Sequence, residues 1–234
     1  MKVYAVKHQT IEFVYKNSQY KINNDKSAIY HISNSLIKLE KMIEKITDKH
    51  NIVFDICANN GLFTSFLKKR FPDATVYIFE PDNDLIECIK YNAKGFSNIH
   101  IINKAISNEK GNVKFYINEN SKQTNSTEKS AVEFFNTDIK EVIVDSIDLD
   151  SFVKENNIEK IDILKVDIQG AESKMIDGAN RSLSIVKYAF FEISFLDKDV
   201  FGLIKKLSNY FSDEYEVINQ VIMGADLMLK GKSK

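Results

Sequence analysis

The fold is decided by one stretch of sequence, Val53-Phe54-Asp55-Ile56-Cys57-Ala58-Asn59-Asn60-Gly61. A β-branched and aromatic run ends in an acidic residue, and a tight turn with one glycine leads into an amphipathic helix. The next predicted strand also ends in a carboxylate, Glu80, which lies 19 residues beyond Gly61 (80 − 61). This order is typical of a βαβ unit that holds a nucleoside, with Glu80 accepting hydrogen bonds from both ribose hydroxyls.

The glycine content of the turn distinguishes between possible ligands. Dinucleotide sites use about three glycines, so that backbone N–H groups surround a pyrophosphate. This turn has only Gly61, and no lysine follows it as in a phosphate-binding loop. The sequence therefore favours a nucleoside without phosphates, of which S-adenosylmethionine is the common one. The alternative is an ordinary strand–turn–helix unit that binds no ligand.

Length, charge and cysteine usage narrow the class of protein. A chain of 234 residues suits one domain with a proper core. Its 32 Lys and Arg residues nearly balance 33 Asp and Glu residues, so a net charge of −1 predicts no general nucleic-acid binding. The sequence shows no signal-peptide pattern, no apolar run of the roughly 20 residues that span a membrane, and no metal-ligand spacing of Cys57 and Cys88. We therefore predict a cytoplasmic protein, and the oligomeric state stays open.

The apolar pattern predicts one structural domain in two parts. Residues 1–50 form a hairpin and a helix that pack on the core, and residues 51–234 form an α/β domain. Predicted strands cover residues 3–6, 11–15, 52–56, 75–79, 99–102, 113–117, 141–144, 161–166, 188–193, 215–219 and 226–229. Predicted helices cover residues 34–49, 62–70, 82–93, 171–178 and 198–211, with Asp82 as an N-cap. The polar residues 118–140 form either a mobile lid or a solvated loop.

Near-continuous apolar strands that alternate with helices predict a mostly parallel sheet with helices on both faces. Four of these strands end in a carboxylate: Asp55, Glu80, Asp167 and Glu192. Ligands of such sheets bind beyond the carboxyl ends of the strands, where the winding reverses. The four side chains therefore predict a site at one edge of the sheet.

Three blocks resemble the FkbM family of S-adenosylmethionine-dependent methyltransferases. They are Asp55-Ile-Cys-Ala-Asn-Asn-Gly61, Phe79-Glu-Pro81 and Leu164-Lys-Val-Asp-Ile-Gln-Gly-Ala-Glu172. The resemblance covers residues 52–193, including a family-like segment at 103–107 and another at 145–148. It implies the class I methyltransferase fold, a Rossmann-like sheet of seven strands with the last antiparallel, and S-adenosylmethionine as the cofactor. It also implies O-methyl transfer, often to sugar or polyketide hydroxyls.

Two residues depart from the family's usual pattern. Cys57 stands where the family has a glycine, which narrows the turn and leaves the methionine part of the cofactor to approach Ala58 and Asn59. Gln169 stands where the family has a glutamate beside the presumed reaction centre. If that glutamate is a base or a metal ligand in the family, this protein works without it or uses Glu172.

The candidate catalytic residues are Asp167, Lys165 and Glu172. Asp167 is a candidate general base because it ends the central strand, and its alternative role is to hold the methionine ammonium group. Lys165 lies two residues earlier on the strand, so it shares a face with Asp167 and either pairs with it or stabilises a developing alkoxide. Glu172 is either catalytic or only a helix-dipole partner. Glu192 either lines the acceptor pocket or pairs with a surface lysine.

The candidate cofactor-binding residues fall into three groups. The turn offers Asp55, Ala58, Asn59, Asn60 and Gly61, although Asn is also common in turns for conformational reasons alone. Glu80 is expected to bind the ribose, and Pro81 to shape the adenine edge. Asn103, Ala105 and Ile106 are expected to wall the adenine. We predict no metal, because the four histidines show no ligand spacing and Gln169 has replaced a potential carboxylate ligand.

These observations predict an O-methyltransferase that acts on a hydroxyl of a sugar, a glycan precursor or a related small metabolite. One alternative is a non-catalytic protein that binds S-adenosylmethionine at a degenerate site, as the changes at Cys57 and Gln169 would allow. Another is a lipid-linked or nucleic-acid acceptor. A nucleic-acid base is disfavoured because no Asn-Pro-Pro-Tyr-like run follows the fourth strand and the net charge is near zero.

Overall fold

The computed structural model describes residues 1–7, 9–47, 52–135, 138–195, 199–221 and 224–232. Its strands are β1 (Lys2–Val6), β2 (Thr10–Tyr15), β3 (Ser18–Asn23), β4 (Ile52–Ile56), β5 (Thr75–Phe79), β6 (Ile99–Ile102), β7 (Ala105–Ser107), β8 (Gly111–Asn118), β9 (Ile139–Asp148), β10 (Ile161–Val166), β11 (Val186–Ser194), β12 (Phe211–Val221) and β13 (Gly224–Gly231). Its α-helices are α1 (Ala28–Lys45), α2 (Leu62–Arg70), α3 (Asn83–Asn92), α4 (Lys129–Phe135), α5 (Leu149–Glu155), α6 (Glu172–Asp177), α7 (Asn180–Leu183) and α8 (Val200–Leu207).

A seven-stranded sheet with the order β12-β13-β11-β10-β4-β5-β6 forms the centre of the molecule. The strands from β11 to β6 are parallel, and β13 runs antiparallel to both β11 and β12. The predicted fold, a mostly parallel seven-stranded sheet with its last strand antiparallel, is therefore confirmed. The winding reverses between β4 and β10, which is where such sheets bind their ligands.

The two faces of the sheet bury separate cores, as the alternation of side chains along each strand requires. On β4, Phe54 belongs to a core with Phe79, Phe152 of α5 and Phe191 of β11. The neighbouring Val53 points to the opposite core, which contains apolar residues of β2, β3, α1 and α2. The N-terminal strands and α1 thus pack on the same face as α2. The division of the chain near residue 50 stays a prediction, since residues 48–51 lie outside the described residues.

The N-terminal segment has one strand more than the sequence pattern predicted. The predicted hairpin is present as β1 and β2, and β3 adds a third antiparallel strand through the two-residue turn at Lys16 and Asn17. Both turn residues have positive φ, 46° and 60°. A two-residue hairpin turn of this kind usually carries Asn-Gly or Asp-Gly. The Lys-Asn pair gives a weaker turn signal, so the third strand was missed.

Residues 118–140 lie against the rest of the molecule over much of their length. They contain a 3-10 turn at Lys122–Thr124, helix α4, and a bridge between Tyr116 and Ser126. Lys122, Asn125 and Ser126 are buried, so this part of the segment is not a solvated loop. Residues 136 and 137 of this segment lie outside the described residues. The same holds for residues 48 and 49 of the predicted helix 34–49 and for residue 198 of the predicted helix 198–211. No helix within the described ranges has the length and apolar character needed to cross a membrane.

Candidate active site

The turn after β4 is built from left-handed backbone. Cys57, Asn59 and Gly61 have φ values of 51°, 53° and 71°. A Cβ on Gly61 would lie 3.2 Å from Ile89 Cγ1 and 3.3 Å from Ile89 Cα, so the glycine lets α2 begin close to α3. The resemblance implied a glycine at Cys57, and glycine is the residue that adopts a positive φ most easily. Cys57 itself lines the pocket at the carboxyl ends of the strands, and burial raises the pKa of its thiol.

We expect Gly61→Ala to lower the free energy of unfolding by about 1–2 kcal/mol more than Gly95→Ala does. Gly95 is a matched control because its φ is also positive, 88°, but nothing lies within 4 Å of the Cβ position. Both variants bear the cost of left-handed backbone, and only the first meets the backbone of α3. Urea unfolding measures the difference. An equal loss of unfolding free energy in the two variants would show that the close approach of Gly61 to Ile89 does not affect stability.

Asp55 lies beneath the pocket rather than on its wall. Its side chain is fully buried, accepts a hydrogen bond from Thr64 Oγ1 at 2.7 Å, and lies 3.5 Å from Lys165 Nζ. Burial raises the pKa of Asp55 in spite of this lysine. Asp55 is not among the lining residues, so a direct contact with the cofactor does not fit this position. It supports the turn through α2 and Lys165 instead.

Glu80 is held on the pocket wall by two backbone donors. The N–H of Asn59 donates to Oε2 at 2.8 Å, and the N–H of Asp82 donates to Oε1 at 3.0 Å. Burial nevertheless raises the pKa of Glu80 to about 8. Ala58, Asn59 and Asn60 line the pocket beside it. The carboxylate is therefore oriented in advance by the same turn that forms the pocket floor.

The residues predicted to wall the adenine lie outside the pocket lining. Asn103 is exposed, and its amide donates to the carbonyls of Glu80 at 2.8 Å and Pro81 at 3.3 Å. Pro81 is buried, and Ala105 and Ile106 are buried in β7. None of these four residues is among those that line the pocket, and their place beside the adenine stays a prediction. This wall of the pocket is lined by Leu85, Phe115, Lys122, Gln123 and Asn125.

Lys122 joins the segment after β8 to the start of α3 through two ion pairs. Its ammonium group lies 3.0 Å from Asp82 Oδ2 and 2.7 Å from Asp84 Oδ2. Burial opposes its charge, but the two carboxylates raise the pKa of Lys122. Its backbone N–H donates to Asp25 Oδ2 at 3.0 Å, and its carbonyl accepts from Asn59 Nδ2 at 3.3 Å. The segment after β8 therefore contacts both the N-terminal region and the turn after β4.

At the other end of the pocket, Gln169 joins two carboxylates. Its amide nitrogen donates to Asp167 Oδ1 at 2.8 Å and to Glu192 Oε1 at 2.7 Å. All three side chains line the pocket. A glutamate at this position would place a third carboxylate beside the other two, whereas the glutamine amide satisfies both. Compared with a glutamate, Gln169 thus removes one negative charge from the site and keeps the shape of the side chain.

Two lysines neutralise these carboxylates. Lys165 Nζ donates to the carbonyl of Cys57 at 2.8 Å and lies 3.6 Å from Asp167 Oδ2, so the predicted pair of Lys165 and Asp167 is present. Lys38 Nζ, from α1, pairs with Glu192, with Asp226 Oδ1 at 2.6 Å, and with Asp167 Oδ2 at 3.9 Å. Neither Lys38 nor Asp226 was a candidate from the sequence.

The charges around this array decide which groups stay ionised. Burial opposes ionisation of Asp167, but Lys165 and Lys38 outweigh it and hold its pKa below the ordinary value. Burial also opposes the charge of both lysines, yet the neighbouring carboxylates raise the pKa of each. Burial raises the pKa of Asp226 to about 6 in spite of Lys38. At neutral pH, Asp167 is therefore an anion between two cations.

Glu172 is fully buried and does not line the pocket. The N–H of Gly170 donates to its Oε1 at 3.0 Å, at the start of α6. This position does not fit the catalytic role that the sequence suggested, because a buried side chain cannot reach an acceptor in the pocket. The described residues contain no group of three His, Cys, Asp or Glu side chains that could hold a metal ion.

The strand order, with β13 antiparallel beside β11, is that of the class I, S-adenosylmethionine-dependent methyltransferases. The chain belongs to the FkbM methyltransferase family, since the model of the methyltransferase FkbM domain matches residues 55–218. S-adenosylmethionine is accordingly its cofactor.

Individual relatives are distant. The 2-O-methyltransferase NoeI of Sinorhizobium fredii (strain NBRC 101917 / NGR234) is 23% identical over 171 residues, which cover 68% of this chain and 70% of that protein. Methyltransferase 1 of Beauveria bassiana (strain ARSEF 2860) is 24% identical over 144 residues, which cover 55% of this chain and 58% of the relative. The structure of the fibrillarin/Nop5p complex matches with a TM-score of 0.51 and 13% identity, over 83% of this chain and 81% of that chain. This likeness shows a shared fold only.

Proposed function

We propose that this protein transfers the methyl group of S-adenosylmethionine to a hydroxyl of a sugar, a glycan precursor or a related small metabolite. The observation that carries the proposal is the position of Asp167 Oδ2. Oδ1 of this carboxylate is engaged by Gln169, whereas Oδ2 has only the two ammonium groups at 3.6 and 3.9 Å among the described contacts. The Asp167 side chain is 25% exposed and lines the pocket, so a hydroxyl bound there is within reach of its carboxylate.

A carboxylate at this place suits a hydroxyl acceptor. A hydroxyl is a weak nucleophile, and a carboxylate that takes its proton as the new bond forms makes it a better one. The array around Asp167 also contains Glu192 and Asp226 beside Lys38 and Lys165, so its charges alone do not separate a hydroxyl from an amine. The acceptor panel below therefore includes both.

In the proposed reaction, S-adenosylmethionine supplies a methyl group bound to a sulfonium. Glu80 accepts from the ribose hydroxyls, and Asn59 and Asn60 face the methionine end. The oxygen of the acceptor hydroxyl bonds to the methyl carbon as the carbon–sulfur bond breaks, and Asp167 Oδ2 takes the proton of that hydroxyl. Lys165 keeps Asp167 ionised, and Glu192 lines the acceptor pocket. We keep the prediction that no metal takes part, because Gln169 supplies an amide where the family usually has a carboxylate.

Cofactor binding should strengthen as the pH rises from 6 to 8. With a pKa of about 8 in the free site, Glu80 is mostly protonated at neutral pH, and the ribose hydroxyls bind the ionised form better. Binding therefore releases a proton, and affinity for S-adenosylhomocysteine should rise by up to about tenfold per pH unit. Titration calorimetry in two buffers of different ionisation enthalpy counts that proton. A pH-independent affinity in the wild type, or an unchanged slope in Glu80→Gln, would contradict this assignment.

The proposed function is tested with labelled S-adenosylmethionine and a panel of methyl glycosides, nucleoside diphosphate sugars, primary amines and RNA. We expect label in at least one of the hydroxyl acceptors and none in the amines or RNA. Transfer only to RNA would overturn the acceptor class. Binding of S-adenosylhomocysteine without transfer to any member would favour a non-catalytic binding protein.

A further inference from the structure

Helix α1 brings a charged side chain into the acceptor end of the pocket from outside the family domain. The family model matches residues 55–218, whereas Lys38 precedes this range and Asp226 follows it. The Lys38 ammonium group contacts carboxylates from three parts of the sheet: Asp167 after β10, Glu192 on β11 and Asp226 on β13. Glu192 and Asp226 are also directly paired residues of β11 and β13.

We propose that Lys38 is a positioning residue, whose ammonium group holds Asp167, Glu192 and Asp226 in one array. Helix α1 thereby forms a wall of the site that binds the methyl acceptor. The inference rests on the proposed function, since it assigns the acceptor to this end of the pocket. Without Lys38, the three carboxylates would lie close together, with Lys165 beside Asp167 and the Gln169 amide between Asp167 and Glu192. Mutual repulsion would then separate them and turn Asp167 away from the acceptor.

The packing of α1 fixes the position of the Lys38 ammonium group. Leu36, Leu39 and Met42 are buried in the core that α1 shares with α2, so the backbone around Lys38 is packed. Ser35, Lys38, Leu39 and Met42 of α1 all line the pocket. The wall that faces the proposed acceptor therefore comes from a segment outside the residues that the family model matches.

The test compares Lys38→Met and Lys38→Arg with Lys45→Met. Lys45 lies on the same helix and pairs with Glu216 at the surface, so its loss controls for a general effect on α1. The main readout is the ¹³C carboxyl titration of Asp167 in protein saturated with S-adenosylhomocysteine, assigned with Asp167→Asn. The titratable groups that face Asp167, Lys38 or Lys165 are Asp55, Cys57, Glu192 and Asp226, and these three variants retain all of them together with Lys165.

We expect Lys38→Met to raise the apparent pKa of Asp167, Lys38→Arg to restore it, and Lys45→Met to leave it unchanged. With a hydroxyl acceptor from the panel, kcat should fall about 10²-fold in Lys38→Met, while the Kd of S-adenosylhomocysteine stays the same. An Asp167 titration that is identical in Lys38→Met and the wild type would overturn the proposal. If Lys38→Met does not fold, Lys38→Met with Asp226→Asn removes one charge of each sign, and the same titration decides. A wild type that transfers no methyl group refutes the proposed function instead, and the titration still reports on the array.

Discussion

Asp167→Asn is expected to lower the turnover number by about 10²–10⁴-fold, the range typical for loss of a working general base. The amide keeps the shape of the side chain and its contact with Gln169, but it cannot take a proton. Affinity for S-adenosylhomocysteine should change little, because Asp167 lies between Lys38 and Lys165 and not beside Glu80. Initial rates with labelled S-adenosylmethionine and titration calorimetry measure the two effects separately.

The matched control is Asp177→Asn, which removes an exposed carboxylate that pairs with Lys206 at the end of α6. This variant should retain wild-type turnover. If Asp167→Asn instead abolished cofactor binding, Asp167 would hold the methionine ammonium group, and the base would lie elsewhere. Because Asp167 also balances two lysines, circular dichroism should accompany the rates to show that the variant is folded.

Glu80→Ala is expected to weaken binding of S-adenosylhomocysteine by about 1.5–3 kcal/mol, or one to two powers of ten in Kd. The variant removes the acceptor for the ribose hydroxyls and also leaves the N–H groups of Asn59 and Asp82 without their present partner. The difference in Kd between the variant and the wild type should be largest at pH 8, because Glu80 is ionised more fully there than at any lower pH between 6 and 8. Turnover at saturating cofactor should fall much less than binding.

Glu87→Ala serves as the control for this substitution. Glu87 lies on α3, is exposed and pairs with Lys90 at the surface, so its loss should leave the Kd unchanged. A Glu80→Ala protein that binds as tightly as the wild type would mean that the ribose lies elsewhere in the pocket. The turn after β4 would then have to be reassigned as well, because Asn59 and Glu80 are joined by a hydrogen bond.

The sheet was predictable because its signal is local and repeated. Each parallel strand is a short apolar run, and the carboxylates at their ends lie at the same edge once the strands are parallel. The turn at Asp55–Gly61 and the pair of Lys165 and Asp167 followed from spacing alone. The family blocks added the number of strands in the sheet and the antiparallel last strand.

The rest of the site depends on contacts between distant segments, for which the sequence has no periodic signal. Lys122 lies in a polar stretch without apolar pattern, and its burial follows from the positions of Asp82 and Asp84, about forty residues earlier. In the sequence, Lys38 looks like an ordinary residue on the polar face of an amphipathic helix. Only the folded structure shows that it contacts Glu192 and Asp226. The sequence also did not show that the Asn103 amide bonds the neighbouring loop, because an exposed amide after a strand can bond such a loop as well as a ligand.

The most direct test of the proposed chemistry is the position of the transferred methyl group. The protein is incubated with S-adenosylmethionine labelled with ¹³C at the methyl carbon and with the panel of glycosides, nucleotide sugars, amines and RNA, and the products are analysed by ¹³C NMR. The proposed mechanism predicts a single new methyl resonance of an ether, on an acceptor oxygen, which disappears with Asp167→Asn. A methyl group on nitrogen or carbon, or an ether formed equally well by Asp167→Asn, would contradict it.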